Sequence, residues 1–190
     1  MNRFATTALL LLVGLTLQPA WAALMVGAKA PGFTATASLG GQRFVFSLAK
    51  ALETGPVVLY FYPAAFTPGC TLEAHDFAEA TDAFKALGAT VIGVSHDSID
   101  TLDRFSLSEC RGKFAVAADP DQAIMTAYDA ILAKRPELAD RTSYVIAPDG
   151  TILAAYSELN PARHVEITMA AVKTWRATHP MAAEAQPMGY

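Results

Sequence analysis

PVVLYFYPAAFTPGCTLEAHDFAEATDAFKALGATVIGVS, residues 56–95, decides the fold. Two apolar runs, VVLYFY (57–62) and ATVIGVS (89–95), are rich in β-branched and aromatic residues. Runs without polar alternation suit strands buried on both faces of a sheet. Between them Phe77, Ala80, Phe84 and Leu87 recur at helical spacing, which predicts a helix from Cys70 to Gly88. Strand, helix and strand in this order predict a parallel pair joined by a crossover helix.

Outward from this unit, FTATASLGGQRFVFSL (33–48) reads as two strands around Gly40-Gly41, a hairpin signal. DSIDTLDRFSLSECRG reads as a second helix, with Asp97 or Ser98 as its cap. KFAVAAD suits a short strand and DQAIMTAYDAIL another helix. SYVIA and TILAAY flank Pro148-Asp149-Gly150, a tight turn that predicts an antiparallel pair. PARHVEITMAAVKTWRATH closes the chain as a helix opened by Pro161, with Val165, Met169, Val172 and Trp175 on its inner face. The economical packing is α/β: a central mixed sheet with helices on both faces. No internal repeat or low-complexity linker interrupts it, so residues 23–179 form one domain. The Ala-, Pro- and Met-rich tail, 180–190, is expected to be disordered.

The chain has 190 residues, 53% hydrophobic and 17% charged, which suits a globular protein. Part of the apolar excess lies in MNRFATTALLLLVGLTLQPAWA (1–22). Arg3, an apolar run from Ala5 to Leu17 and the small-x-small Ala20-Trp21-Ala22 predict a secretory signal cleaved before Ala23. The run is too short to span a bilayer, which takes roughly 20 residues, so no stable membrane insertion is expected after cleavage. Of 14 bases only Arg3 lies in this leader, and none of the 18 acids does, so the mature chain is net acidic. Nothing in that balance favours nucleic acid, and no basic cluster is visible, so no nucleic-acid partner is expected. Two cysteines, Cys70 and Cys110, are too few for a disulfide scaffold. Export to the bacterial periplasm would let such a pair cycle as a disulfide.

Cys70 stands just beyond the carboxyl end of the strand 57–62, where function gathers in open α/β sheets. It also opens a helix, whose free N–H groups and dipole favour an anion such as a thiolate. Phe77 follows Cys70 at about 20° on the helical wheel, so Cys70 faces the core in a semi-buried pocket. Glu73 lies about 60° from it and His75 about 140°. The Thr67 hydroxyl, three residues upstream, can reach a thiolate or its substrate. A lone buried cysteine is most often a small hydrophobe. Here the position after the strand, the helix N-terminus and Thr67 together argue for a nucleophile.

The block Pro63-x-x-x-Thr67-x-x-Cys70, within FYPAAFTPGCTLEA, resembles the peroxidatic motif of the peroxiredoxins, of the AhpC/TSA superfamily. TPGCT-x-E is most similar to their bacterioferritin-comigratory, or PrxQ, branch. VGAKAPGF, VIGVSHDS, the DPD before a helix and RTSYVIAPDG extend the resemblance through most of the mature chain. The resemblance implies a thioredoxin-like fold and a thiol-dependent peroxidase with no metal or organic cofactor. It implies that Cys70 is the peroxidatic cysteine, oxidised by a peroxide substrate to a sulfenic acid. Thr67 would hydrogen-bond the peroxide and Pro63 would shield the pocket from water. Arg141 would stabilise the thiolate and the shifting charge, and Glu73 would orient Arg141. Taken singly, these residues read as a turn threonine, a strand terminator, a solvated loop base and a first-turn carboxylate. On that footing Arg141→Ala should slow peroxide attack with little effect on global stability. The branch also implies a monomer, reduced by an external thiol: a periplasmic thioredoxin-like protein or glutathione.

The chain departs from the pattern at His75, where many members of the branch carry a resolving cysteine. Cys110, late in the second helix and at the rim of its apolar face, is the candidate resolver. A one-cysteine enzyme with Cys110 as bystander stays open. So does an exported thiol–disulfide oxidoreductase, although Glu73 stands where a C-x-x-C motif needs its second thiol. A binding protein that has lost activity is a third reading, and Pro63, Thr67, Cys70 and Arg141 argue against it. His75 reads as a solvated helix residue. His96, His164 and His179 show no ligand spacing and read as surface residues.

Overall fold

The computed structural model describes residues 23–181. The expected leader and the tail from residue 182 lie outside the described residues.

Seven strands form one mixed sheet: β1 (Thr34–Leu39), β2 (Gln42–Ser47), β3 (Val57–Phe61), β4 (Thr90–Ser95), β5 (Ala115–Ala118), β6 (Thr142–Ile146) and β7 (Ile152–Ser157). Their order is β2-β1-β5-β4-β3-β6-β7. The three central strands β3, β4 and β5 run parallel, and the hairpins β1–β2 and β6–β7 flank them antiparallel. The crossover from β3 to β4 is the helix α2 (Pro68–Ala86), as the sequence predicts. The other helices are α1 (Leu48–Leu52), α3 (Ile99–Ser108), α4 (Ala123–Ala127) and α5 (His164–Thr178), the last preceded by a 3₁₀ turn at Pro161–Arg163.

The continuous apolar run of β3 follows from its place. Val57, Leu59 and Phe61 face one core, with α1 and α4; Val58, Tyr60 and Tyr62 face a second core, with α2, α3 and α5. Strands in such a position need apolar side chains in both directions. In the second core the Tyr60 ring lies flat across β4. A Cβ on Gly93 would meet Tyr60 ring atoms at 2.8–2.9 Å, so only glycine admits the ring.

Local chemistry moves several boundaries. The α2 helix begins at Pro68, not Cys70, because proline at the first helical position has its φ already set. Ser98, not Asp97, caps α3 by accepting from the Thr101 N–H at 3.3 Å. The α4 helix is a single turn, since Asp129 takes a left-handed φ of 50° two residues past its end. The inner face of α5 is rotated by one residue from the apolar pattern: His164, Thr168 and Val172 are buried, whereas Val165, Met169 and Trp175 are half-buried. No helix among the described residues is long and apolar enough to cross a membrane.

Candidate active site

Three elements converge on Cys70. The β3 strand ends at Phe61, and the turn 62–67 carries the chain to the start of α2. Antiparallel pairing of Phe61 with Thr142 sets the beginning of β6 beside that same end of β3. Arg141, one residue before β6, is thereby brought to the mouth of α2, seventy-one positions from Cys70 in sequence. The β7–α5 connection covers the far side and offers the Leu159 carbonyl.

Cys70 is 1% exposed and in no disulfide, and it is buried in the second core rather than set in a semi-buried pocket. The Arg141 Nη2 stands 3.5 Å from its Sγ. Arg141 Nη1 donates to Glu73 Oε2, and Nε donates to the Leu159 carbonyl at 2.8 Å. The guanidinium is thus fixed at all three nitrogens. Its close approach needs Gly69, where a Cβ would come within 3.1 Å of Nη2.

The alternative of Arg141 as a solvated loop base therefore fails. The residue is 4% exposed and its partner Glu73 is fully buried. Burial works against the guanidinium charge, but Glu73 and Cys70 outweigh it and hold Arg141 above its ordinary value. Burial pushes the Glu73 carboxyl up to about 8, against the pull of Arg141. An Arg–Glu pair taken out of water rests on such geometry, and breaking it from one side strands a charge.

Thr67 caps α2 from an exposed position, and its hydroxyl donates to the Ala64 carbonyl at 2.9 Å. With its hydrogen engaged, the Thr67 oxygen is left with lone pairs that can accept a hydrogen bond. Pro63 is half-buried at the strand end. Asp97, one of the two candidate caps for α3, instead anchors this loop: its Oδ2 accepts from the Ala65 N–H and from Ser95 Oγ, both at 2.8 Å. Phe66 holds a left-handed φ of 62° and meets Phe105 edge-on at 5.2 Å.

Cys110 lies past the end of α3, not within it, and is fully buried in the same core as Cys70. Its N–H bonds the Phe105 carbonyl at 3.0 Å, and Arg111 and Gly112 then take left-handed φ values of 51° and 62°. This reversal turns the thiol inward, away from the rim position the wheel suggests. Burial, then the adjacent Glu109 carboxylate, push the Cys110 thiol up, so it is a poor nucleophile where it sits.

The histidine readings also change. His75 is partly buried and its Nε2 lies 2.9 Å from Glu109 Oε2, joining α2 to the residue before Cys110. His96 is half-buried, and His179 is exposed as expected. His164 is fully buried behind Glu73, with its Nδ1 2.8 Å from Ser143 Oγ and 3.6 Å from Glu73 Oε1. A polar residue on an apolar helical wheel gives no signal of this kind.

A thioredoxin-like sheet with a buried thiol at a helix N-terminus, faced by a fixed guanidinium, defines a thiol-based redox enzyme. The AhpC/TSA family profile matches residues 26–155, and the chain belongs to this family. It is 33% identical over 122 residues to Peroxiredoxin Bcp of Xanthomonas campestris pv. campestris, covering 62% of this chain and 76% of that protein. Its fold is similar to the crystal structure of Peroxidoxin BcpB from Mycobacterium tuberculosis, with a TM-score of 0.71 at 26% identity over 78% of this chain and 96% of that one. It is also similar to Xanthomonas campestris Bacterioferritin Comigratory Protein, whose structure concerns its alkyl peroxide reduction activity (TM-score 0.65, 31% identity, 74% and 90% of the two chains). The chain is a peroxiredoxin, an oxidoreductase that reduces peroxides with electrons from thiols.

Proposed function

We propose that Cys70 is the peroxidatic thiol and that Cys110 resolves it through an intramolecular disulfide. The observation that carries the first part is the Arg141 Nη2 contact at 3.5 Å from the Cys70 Sγ. The thiolate attacks the terminal oxygen of ROOH, the O–O bond breaks, and its electron pair leaves with RO⁻, which takes a proton to give ROH. Cys70 keeps the OH as a sulfenic acid. Arg141 and the N–H groups at the start of α2 stabilise charge moving to the leaving oxygen.

The Cys110 thiol then displaces hydroxide from the sulfenic sulfur; one water leaves and the disulfide forms. Two thiols of a periplasmic thioredoxin-like donor or of glutathione return it to the dithiol, and the protein works as an exported monomer. The shared core of the two cysteines supports this route over resolution by an external thiol alone. A disulfide needs Cα atoms within about 7 Å, and the proposed route has the buried turn carrying Cys110 open to bring its thiol to Cys70.

Peptide mapping by mass spectrometry after one equivalent of peroxide tests the pairing, with Cys110→Ser as control. A Cys70–Cys110 peptide is expected. A stable sulfenic acid or a mixed disulfide on Cys70, without that peptide, would establish a one-cysteine mechanism instead.

A further inference from the structure

His164 has no part in the chemistry above, yet it is buried against it. Its Nε2 faces the Glu158 backbone carbonyl at 2.8 Å. A carbonyl only accepts, so Nε2 carries a hydrogen in every state. In the neutral ring the lone pair is then on Nδ1, which faces Ser143 Oγ at 2.8 Å and Glu73 Oε1 at 3.6 Å. Glu73 Oε1 is buried and, among the described residues, has no hydrogen-bond donor. Two acceptors therefore face each other across a gap that one proton would join.

We propose that His164 is a positioning residue of the peroxidatic site: it shares one proton with Glu73, between Nδ1 and Oε1, and so governs how fully the Arg141 charge is turned toward Cys70. The proposal rests on the reading of Cys70 and Arg141 given above. With Cys70 ionised and Glu73 a bare carboxylate, Arg141 alone cannot neutralise the buried cluster. One added proton brings it to zero net charge, and buried net charge is costly. A carboxyl that holds this proton competes less with Cys70 for the guanidinium. Ser143 rotates from donor to acceptor as Nδ1 gains the proton. The remaining groups around the ring are Asp140, the Glu158 carboxylate and the edge-on Tyr156 ring, centred 4.8 Å away. Burial, then the Arg141 charge, hold the imidazole down from its ordinary value against the Glu158 carbonyl and the nearby carboxylates, and burial raises Glu73, so the shared proton rests nearer Oε1.

The test is nitrogen-15 NMR of histidine-labelled protein between about pH 5 and 9. The His164 Nε2 should stay protonated while Nδ1 follows one titration, and Cys70→Ser, which removes a neighbouring negative charge, should move that titration to lower pH. An Nδ1 resonance that ignores pH, or titrates alike in both proteins, overturns the proposal. A silent Nδ1 beside an inactive Cys70→Ser variant overturns it while leaving the peroxidatic reading intact. Two substitutions add a kinetic arm. His164→Asn places an amide near Nδ1, toward Glu73, whereas His164→Gln places one near Nε2, toward Glu158. Peroxide reduction should fall about tenfold in His164→Gln and recover in His164→Asn, as expected for roughly one unit of lost proton coupling. If the histidine only pins the Glu158 carbonyl to α5, the order reverses and the proposal fails.

Discussion

Replacing Arg141 by methionine should damage both catalysis and stability, by separable amounts. At the observed 3.5 Å, a guanidinium and a thiolate attract by about 5 kcal/mol at an effective dielectric near 20. Glu73, on the same guanidinium, offsets part of that. The share realised only in the transition state is that of one fixed donor, about 3 kcal/mol, or 10²–10³ in the rate of peroxide attack. The stability loss has another source. Glu73 is fully buried, and without Arg141 its Oε2 loses its partner even when the carboxyl holds a proton, which costs about 1–3 kcal/mol. For a domain of this size that is roughly 5 °C in Tm. Sequence alone suggested that the fold would be spared, and burial of the pair reverses that expectation. Stopped-flow peroxide reduction and urea unfolding measure the two effects. The double variant Arg141→Met/Glu73→Met should regain most of the stability and none of the rate, because an apolar pair replaces a buried ion pair at little cost. A single variant that keeps its rate within threefold, or a double variant as unstable as the single, would refute this reasoning.

Cys70→Ser should leave the fold intact and hold peroxidase activity to a few per cent or less, since a serine hydroxyl does not ionise near neutral pH; greater residual turnover places the chemistry elsewhere. Stability should also report Glu73. Its folded value near 8 exceeds the ordinary 4.5, so the folded state holds a proton that the unfolded chain has released, and stability falls as pH rises between those values. Urea midpoints should lose that slope in Glu73→Gln, and an identical slope in both proteins would count against a protonated carboxyl. N-terminal sequencing of native protein should return Ala23, and recovery of Met1 from the cytosol would exclude export.

The strand–helix–strand unit around Cys70 was legible because periodicity is a local property. VVLYFY could only be a strand covered on both faces, and Phe77 and Phe84 could only share a helix face. The contact that arms Cys70 was not legible from spacing. Arg141 is placed by strand pairing between Phe61 and Thr142, which no local pattern encodes, and only the family resemblance pointed to it. His164 was misread for the complementary reason. A wheel of α5 ranks it as polar and hence exposed, whereas its partners, Glu73, Ser143 and the Glu158 carbonyl, come from three other segments. Cys110 was misplaced because a left-handed turn at Arg111 and Gly112, not helical phase, aims it.

The same geometry argues which thiol yields when the two must meet. Cys70 sits on a helix opened by Pro68, and the guanidinium beside it is fixed by the Leu159 carbonyl and buried Glu73. The segment 109–113 is held to α2 by three pairs at its rim: His75–Glu109 at 2.9 Å, Glu79–Arg111 at 3.3 Å and Asp82–Lys113 at 3.0 Å. The last two are exposed, and such pairs contribute about 0–1 kcal/mol each. Arg111 adds a left-handed, non-glycine backbone, which costs about 1–3 kcal/mol. A short segment fastened by surface charges and strained at its turn opens more readily than a helix start locked to a buried ion pair. His75 thus stands where the branch often keeps its second thiol and instead grips the chain that carries Cys110.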